Sequence, residues 1–448
     1  MILKKLFFLV LTIIGIISFC SCTSDDQSSS EVTDMVHSDN VYLEFNKWIY
    51  AQMNHDYLWR NDMPDSLLCD YDLPPVDFYK SLLSSKDRFS YCETNSSYNP
   101  LKPEQHLGYE YQTYELSDGG VFAQVLLVTN PELKIKGLKR GDIIVGQLGG
   151  SIIVRGKIEQ NRLAPIDTIE ASNPFVDNQT VYLDSIYVVD SRKIGYLCYL
   201  KFDEIIDLVP VIKRFYDANI NEMILDLRYN PGGYVSTCKY LSNSIVNEKG
   251  YDGIFQQCTY NDIITKEKER ETGSGISVNR FTIPNNGKNA LGTPMYGLNL
   301  KRVFVLTSKN SASASEAAII SMRPYMDVVI IGENTYGKGV GSWTIRDNKY
   351  KYQLQPITMR YHNALMETTP DNGLEVDCYV PDGYSASKKE LGDREEPLLA
   401  KALDMIVNNI ASNIQETNSP EYREKDLSLI YKRGPSSFSR FFENQMVD

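Results

Sequence analysis

Histidine is scarce in this sequence, which limits the chemistry that the chain can perform. The 448 residues include four histidines: His37, His55, His106 and His362. The six cysteines that follow residue 22 are scattered, without a CxxC pair and without a histidine at ligand spacing. The sequence therefore indicates neither a zinc site nor a dense disulfide framework, and we expect no metal and no cofactor.

Basic charge is also in short supply. The formal net charge is -12, and no basic stretch overrides it. Because phosphate binding needs a basic surface, this charge argues against nucleic acid as the partner. The apolar run Leu6–Ser18 is too short to span a membrane as a stable anchor.

The N-terminus has the order of a secretory signal, with two lysines ahead of the run Leu6–Ser18. The run closes on ISFCSC, where Cys22 follows a small residue and precedes a polar stretch, and this resembles the lipobox of bacterial lipoproteins. We expect cleavage before Cys22 and lipidation of its thiol. That would place the protein in the cell envelope, anchored to a membrane at the periplasmic face or in the outer membrane. The alternatives are a soluble secreted protein, or lipidation at Cys20.

The length of the chain predicts two or three domains, because one hydrophobic core rarely serves so many residues. We divide it into a signal peptide (1–21), a flexible tether (22–39), an N-terminal helical unit (40–104), a β-rich module (105–188), an α/β domain (189–415) and a polar C-terminal tail (416–448).

These divisions follow the spacing of apolar residues. Helical intervals dominate after residue 40, and short β-like runs separated by turn signals fill residues 105–188. From residue 193 strands alternate with helices, which implies parallel pairing with right-handed crossovers. The polar stretch 248–300 predicts a surface insertion.

Three segments place glycine or small residues where an apolar strand gives way to a turn or helix. They are DLRYNPGGY (226–234), SKNSASASEAAII (308–320) and GENTYGKGVG (332–341). Active sites of open α/β sheets gather at such carboxyl ends of strands. We therefore expect the three segments to converge.

A serine at the start of the helix after SKNSASAS would face free backbone donors that favour negative charge, but it also needs a base. Lys338 lies in a glycine-flanked turn after an apolar strand, and a lysine in an apolar pocket loses its preference for the charged form. His362 is the alternative base. Without catalysis, Ser311, Ser313 and Ser315 would be helix caps and Lys338 an ordinary loop lysine.

SASASE followed by VVIIGENTYGKG resembles the signature of the C-terminal processing peptidases, or tail-specific proteases, which use a Ser/Lys dyad. In that family the lysine lies twenty-five positions after the nucleophile, and Ser313 and Lys338 have that spacing. The resemblance thus implies that Ser313 is the nucleophile and Lys338 the general base. DLRYNPGG is similar to the family's DLRxNPGG segment, which implies an oxyanion hole formed by the N–H of Gly232 or Gly233 with that of Ala314.

The resemblance extends to other parts of the chain. LGYEYQ (107–112) followed by GLKRGDIIVGQLGG is similar to the family's PDZ module, which implies that a loop at Gly108, Tyr109 and Glu110 binds a substrate's terminal carboxylate. The helical unit with its DRFS segment (87–90) resembles the N-terminal part of these proteins in Bacteroidetes lipoproteins. One position departs from the family: KGxVQ usually supplies a glutamine that orients the lysine, and Ser342 stands there instead.

The family resemblance implies a multidomain α/β protein with a Clp/crotonase-like catalytic domain, a PDZ-like module and a small N-terminal helical unit. It implies a serine-type endopeptidase that cleaves unstructured protein or peptide C-termini in the cell envelope through an acyl-enzyme. A non-catalytic peptide- or lipid-binding lipoprotein on the same fold and a purely structural envelope lipoprotein remain as alternatives.

Overall fold

The computed structural model describes residues 41–94, 105–149, 151–171, 175–176, 179–287, 292–347, 349–409 and 430–436. The predicted signal peptide, the tether and the lipidation site Cys22 lie outside these residues. The described residues from Tyr42 onward form one compact unit. None of the helices in the described ranges combines the length and apolar character needed to cross a membrane.

The helices in the described ranges are α1 Leu43–Asp56, α2 Pro75–Ser81, α3 Pro131–Ile135, α4 Val209–Asp217, α5 Val235–Ile245, α6 Asp262–Thr272, α7 Ala314–Met322 and α8 Pro397–Val407. The strands are β1 Tyr91–Thr94, β2 Gln105–His106, β3 Tyr109–Leu116, β4 Val121–Val128, β5 Ile143–Leu148, β6 Ile152–Glu159, β7 Arg162–Glu170, β8 Phe175–Val176, β9 Val181–Val189, β10 Arg192–Tyr199, β11 Glu222–Asp226, β12 Ile254–Thr259, β13 Ser277–Arg280, β14 Arg302–Thr307, β15 Asp327–Gly332, β16 Val340–Ser342, β17 Ile345–Asp347, β18 Tyr352–Gln355, β19 Ile357–His362, β20 Cys378–Tyr379 and β21 Ile430–Ser436.

A six-stranded sheet in the order β20-β15-β14-β11-β10-β9 forms the centre of the α/β part. Its strands pair in parallel from β10 to β20, as the strand–helix alternation predicts. Side chains alternate between two cores: Leu225 packs with α4, α5 and α7, whereas its neighbour Ile224 packs with α8. Helices cover both faces, which explains why these strands are apolar along their length.

The edge strand β9 corrects one predicted boundary. We assigned it to the module at 105–188, but it pairs antiparallel with β10 in the central sheet, with Tyr187 opposite Ile194. The two strands are joined by a tight turn in which Asp190 has a φ of 53°, so they form a hairpin. The central sheet therefore begins at Val181, within the range that we assigned to the module.

The module is an antiparallel sheet in the order β21-β3-β4-β5-β6-β7, with a small core that includes Val125, Leu133 and Ile153. Strand β21 comes from the segment predicted to be a polar tail. It pairs with β3, placing Ser436 opposite Gln112 and covering one edge of the sheet. Such coverage protects backbone groups that an edge strand would otherwise expose.

The N-terminal helical unit shares its core with the α/β part. Strand β1 pairs with β18, and Phe45 and Phe78 pack with Val340 and Leu354. The predicted surface insertion at 248–300 is also integrated, which corrects our interpretation. Its strands β12 and β13 join the sheet β13-β12-β19-β16, where Phe255 is buried.

Candidate active site

The structure brings the three small-residue segments together at the carboxyl ends of β11, β14 and β15. The hydroxyl of Ser308 donates to the carbonyl of Arg228, and the N–H of Tyr336 donates to Ser311 O at 2.9 Å. The N–H of Ala312 donates to Asn230 O at 3.2 Å. One cluster of loops therefore carries Ser313, Ala314, Lys338 and the two glycines of DLRYNPGG.

The three serines of SASASE have different environments. Ser311 Oγ donates to Leu227 O at 2.7 Å, and Ser315 Oγ donates to Asn230 O at 2.9 Å, so these two hydroxyls hold the neighbouring loop. Ser313 lies at the N-cap position of α7 and has a φ of 59°. A positive φ in a non-glycine residue is strained backbone, and such residues cluster at functional sites.

Glu316 links the serine segment to the lysine segment. Its fully buried carboxylate accepts from the N–H of Ser313 and the N–H of Lys338, both at 2.8 Å and both through Oε2. Oε1 accepts from Gly337 N at 2.7 Å and from Thr335 Oγ1 at 2.5 Å. The backbones of Ser313 and Lys338 therefore lie within two hydrogen-bond lengths of each other.

Sequence reasoning missed Glu316, although a signal for it was present. A glutamate three residues after a serine is the spacing of a capping box, in which the glutamate side chain binds the N-cap N–H. Nothing in that local pattern shows that the same carboxylate also binds the loop of Lys338.

Lys338 is buried, with 6% of its surface exposed. Burial lowers the pKa of its amine to about 7, although the negative charges of Asp87 and Glu316 act in the opposite direction. The nitrogen lies 4.8 Å from the centre of the Phe89 ring. With this pKa, a substantial fraction of the amine is neutral near neutral pH, and the neutral form can accept a proton.

The two glycines of DLRYNPGG differ as oxyanion-hole candidates. Gly232 N–H donates to Asn230 Oδ1 at 2.9 Å and is therefore engaged. Within the described ranges, the N–H groups of Gly233 and Ala314 have no hydrogen-bond acceptor. Gly232 has a φ of 115°, and a Cβ at this position would lie 2.9 Å from Ser313 Oγ. The lack of a side chain at Gly232 therefore leaves room beside the Ser313 hydroxyl.

Ser342, at the position where the family usually has glutamine, is buried beside a glutamine from another strand. Gln355 on β18 donates from Nε2 to Ser342 Oγ at 2.8 Å. Its Oε1 accepts from Thr344 Oγ1 at 2.7 Å. An amide group thus reaches this position from a strand of another sheet.

Both ring nitrogens of His362 have hydrogen-bond partners other than Ser313. Its Nε2 pairs with Thr259 Oγ1 at 2.9 Å and its Nδ1 with Met366 O at 3.3 Å. Burial lowers the pKa of its imidazole. Both ring nitrogens have other partners, so this geometry does not favour His362 as the base.

The predicted carboxylate-binding loop is buried and is hydrogen-bonded to the end of β4. Gly108 has a φ of 83°, and its carbonyl accepts from the N–H of Thr129 and of Asn130. Tyr109 and Glu110 are buried and begin β3.

Among the described residues there is no cluster of His, Cys, Asp and Glu that would hold a metal ion.

Comparisons with known proteins show which family models and solved structures this chain resembles. Residues 193–380 match the model of peptidase family S41, and residues 44–91 match the peptidase S41 N-terminal domain. A solved structure of a protein described as an S41 protease, from Bacteroides fragilis, is 24% identical in sequence to this chain. The match covers 81% of this chain and 97% of the solved chain, with a TM-score of 0.67. This similarity shows the fold.

Two curated relatives are similar at low identity. Carboxyl-terminal-processing peptidase 1 of Arabidopsis thaliana is 24% identical over 58% of this chain, and carboxy-terminal processing protease CtpA of Bacillus subtilis is 25% identical over 67%. This chain spans 53% and 61% of their lengths, respectively. The two family-model matches together cover more than half of the 448 residues, and the chain belongs to peptidase family S41.

Proposed function

We propose that this protein is a serine-type endopeptidase in which Ser313 is the nucleophile and Lys338 the general base. The observation that carries the proposal is the Glu316 carboxylate, which binds the backbone N–H of both residues while Lys338 is buried. A serine hydroxyl needs an adjacent base, and a buried lysine is one of the side chains that can serve.

The proposed reaction proceeds in two halves. Ser313 Oγ forms a bond to the peptide carbonyl carbon as its proton moves to Lys338 Nζ, and the carbonyl oxygen becomes negative. The N–H groups of Gly233 and Ala314 are the proposed donors to that oxygen, each worth about 10² to 10³ in rate. The C–N bond then breaks, and the Lys338 ammonium returns its proton to the leaving amine. Water, activated by the neutral lysine, hydrolyses the acyl-enzyme and regenerates the serine.

Proteins and peptides are the proposed substrates, cleaved at or near their C-termini. The names of the relatives from Arabidopsis thaliana and Bacillus subtilis support this, since both describe carboxyl-terminal processing. On this proposal the central sheet and its helices form a Clp/crotonase-like catalytic domain. The antiparallel sheet of β3 to β7 is the PDZ-like module.

Single substitutions test the dyad directly. Ser313→Ala removes the nucleophile and Lys338→Ala the base, so each should abolish peptide hydrolysis and labelling by a fluorophosphonate, because groups that act as a unit fail together. His362→Ala is the matched control and should retain most activity. Normal turnover in Lys338→Ala together with its loss in His362→Ala would refute the dyad. Absence of labelling in the unmutated protein would favour a non-catalytic binding protein.

We also propose that lipidation of Cys22 anchors the protein in the cell envelope, on the strength of the N-terminal sequence alone. The unmutated protein should then fractionate with membranes, and Cys22→Ala should be released in an active form. Recovery of the unmutated protein in the soluble fraction would contradict the anchor.

A further inference from the structure

The segment DRFS, at residues 87–90 of the N-terminal unit, contacts the loop that carries Lys338. It lies 249 positions away from that loop in the sequence. We propose that Phe89 and Arg88 are positioning residues for Lys338, with Phe89 covering the amine and Arg88 fixing the loop on which the lysine stands. The inference rests on the proposed function, since it assigns a role toward the base of the dyad.

The ring of Phe89 forms one wall around the base. Lys338 Nζ lies 4.8 Å from the ring centre, within the range of a cation–π contact. The ring has two opposing effects on the amine, because it attracts the ammonium but also excludes water. Cation–π attraction is worth about 0.5 to 2 kcal/mol, whereas full burial shifts a lysine by up to about 3 to 5 pKa units. At Lys338 the burial by all of its neighbours, with Phe89 among them, leaves the pKa lowered, so exclusion of water prevails and the neutral amine is favoured.

Arg88 holds the residues that precede the base. Its Nη2 donates to Gly337 O at 2.8 Å and to Asp371 O at 3.0 Å. The guanidinium carbon lies 4.9 Å from the centre of the Phe89 ring and 5.5 Å from that of Tyr336. Arg88 thus contacts three separate segments of the chain: the DRFS segment, the loop that carries Lys338 and the loop at residue 371.

Gly337, in the loop that carries Lys338, allows this contact. Gly337 has a φ of 93°, and a Cβ there would lie 2.2 Å from Asp371 O, so only glycine permits the two loops to approach so closely. Two carbonyls from these loops then converge on one guanidinium nitrogen. Loss of Arg88 would leave both carbonyls without this charged donor.

The DRFS segment is itself held rigidly. Asp87 Oδ1 accepts from the N–H of Phe89 at 2.8 Å and of Ser90 at 2.9 Å, closing a turn. Ser90 Oγ accepts from Ile357 N at 2.8 Å and ties the turn to β19. Side chains with a fixed backbone can hold a catalytic group in place at little cost in entropy.

The charged and titratable groups near the amine come from three elements. Asp87 and Arg88 belong to the DRFS segment, Glu316 to α7 and Tyr336 to the lysine loop itself. None of these four is altered in a Phe89 variant. A change in the pH dependence of such a variant therefore reports on the cover over the amine.

The pH profile of kcat/KM for a peptide substrate tests the role of Phe89. Phe89→Ala admits water to the amine, so the midpoint of the profile should rise by about one pH unit or more, with a loss of about fivefold or more at pH 7 that is recovered at higher pH. Phe89→Leu keeps an apolar cover and should hold the midpoint within about half a unit. An unchanged midpoint in Phe89→Ala, with kcat reduced equally at every pH, would overturn the role.

Arg88 is tested by separating kcat from KM. Arg88→Gln should lower kcat about tenfold at unchanged KM, because misplacement of a catalytic group lowers turnover, and Arg88→Lys should restore part of the loss. Arg346→Gln changes another exposed arginine, on β17, and serves as the control. Normal kcat in Arg88→Gln would overturn the role of Arg88, and this exposed position decides the matter even if Phe89→Ala does not fold.

Fluorophosphonate labelling separates failure of this inference from failure of the proposed function. If Lys338→Ala is labelled at Ser313 as fast as the unmutated protein, the dyad and the inference both fall. If Lys338→Ala is not labelled while Phe89→Ala and Arg88→Gln match the unmutated protein in midpoint and kcat, only the inference falls.

Discussion

At the scale of single residues, the burial of Lys338 sets the pH at which the proposed base can act. A free lysine has a pKa of about 10.4 and would be almost fully charged at neutral pH. Burial lowers the pKa of Lys338 to about 7, despite the opposing charges of Asp87 and Glu316. The neutral, proton-accepting form is therefore substantially populated in the neutral range.

The pH dependence of activity follows from this pKa. Because only the neutral amine accepts the serine proton, kcat/KM should be low at acidic pH, rise through a midpoint at about pH 7 and level off at higher pH. Peptide hydrolysis measured across this range checks the prediction. Lys338→Arg, which stays charged at every accessible pH, is the control and should be inactive. A midpoint near that of a free lysine would contradict it.

At the scale of elements, helix α7 does more than present the proposed nucleophile. Its first turn contributes Glu316, and that side chain binds the N–H of Gly337 and of Lys338 on the loop after β15. Two neighbouring strand ends of the central sheet are thereby joined through one carboxylate. The register of β14 and β15 places these ends side by side, with Thr307 opposite Gly332.

Glu316→Gln should impair catalysis while leaving the fold in place. An amide retains one acceptor oxygen but turns its NH₂ group toward backbone donors, and an unsatisfied buried donor costs about 1 to 3 kcal/mol. We expect kcat to fall about 10- to 100-fold at similar KM, because the serine and lysine backbones lose their common anchor.

Steady-state kinetics and thermal unfolding of Glu316→Gln check this expectation. Ser321→Ala is the matched control, because Ser321 is also a buried polar residue of α7 and its hydroxyl donates within the helix, to Ala318 O. Equal kcat in Glu316→Gln and the unmutated protein would show that the carboxylate is dispensable.

At the scale of the whole molecule, buried charges join the module to the central sheet. Arg140 of the module donates to Asp382 at 2.7 Å and to Tyr229 Oη at 2.5 Å. Arg228, beside Tyr229, binds Glu396 through both of its terminal nitrogens. Removing one partner of such a buried network usually costs several kcal/mol, so the module is firmly held to the segment that precedes the proposed oxyanion hole.

If the module captures chain ends, peptides with a free terminal carboxylate should be cleaved faster than their amidated forms. The loop at Gly108, Tyr109 and Glu110 would lose a charge-assisted partner in the amide, and such bonds are worth about 1.5 to 3 kcal/mol. At low substrate concentration we expect a difference in rate of about 10- to 100-fold. A peptide extended along β3 would replace β21, which pairs there.

Matched peptides that differ only at the terminal carboxylate provide the measurement. A third peptide, with the carboxylate restored but the last residue changed, separates charge from side-chain preference. Equal rates for the free and amidated peptides would leave the module as a spacer or support, without a role in capture.

Local patterns accounted for much of the central sheet. Alternating strands and helices predicted the parallel order from β10 to β15, because each apolar strand must be covered on both faces. They did not predict that β9 joins this sheet or that β21 pairs with β3. A strand's own residues show that one face is apolar, but the choice of partner depends on turns and on segments far away in sequence.

The sequence by itself determined the site as a set of candidates: the spacing of Ser313 and Lys338, and small residues after three strands. Only the tertiary structure decided which backbone donors are engaged, such as Gly232 N–H on Asn230. It also decided that Glu316 binds both halves of the proposed dyad and that Phe89 covers the amine from another part of the chain. The physical reason is that burial and hydrogen bonding depend on distances in space, and residues separated by 249 positions acquire such a distance only when the chain folds.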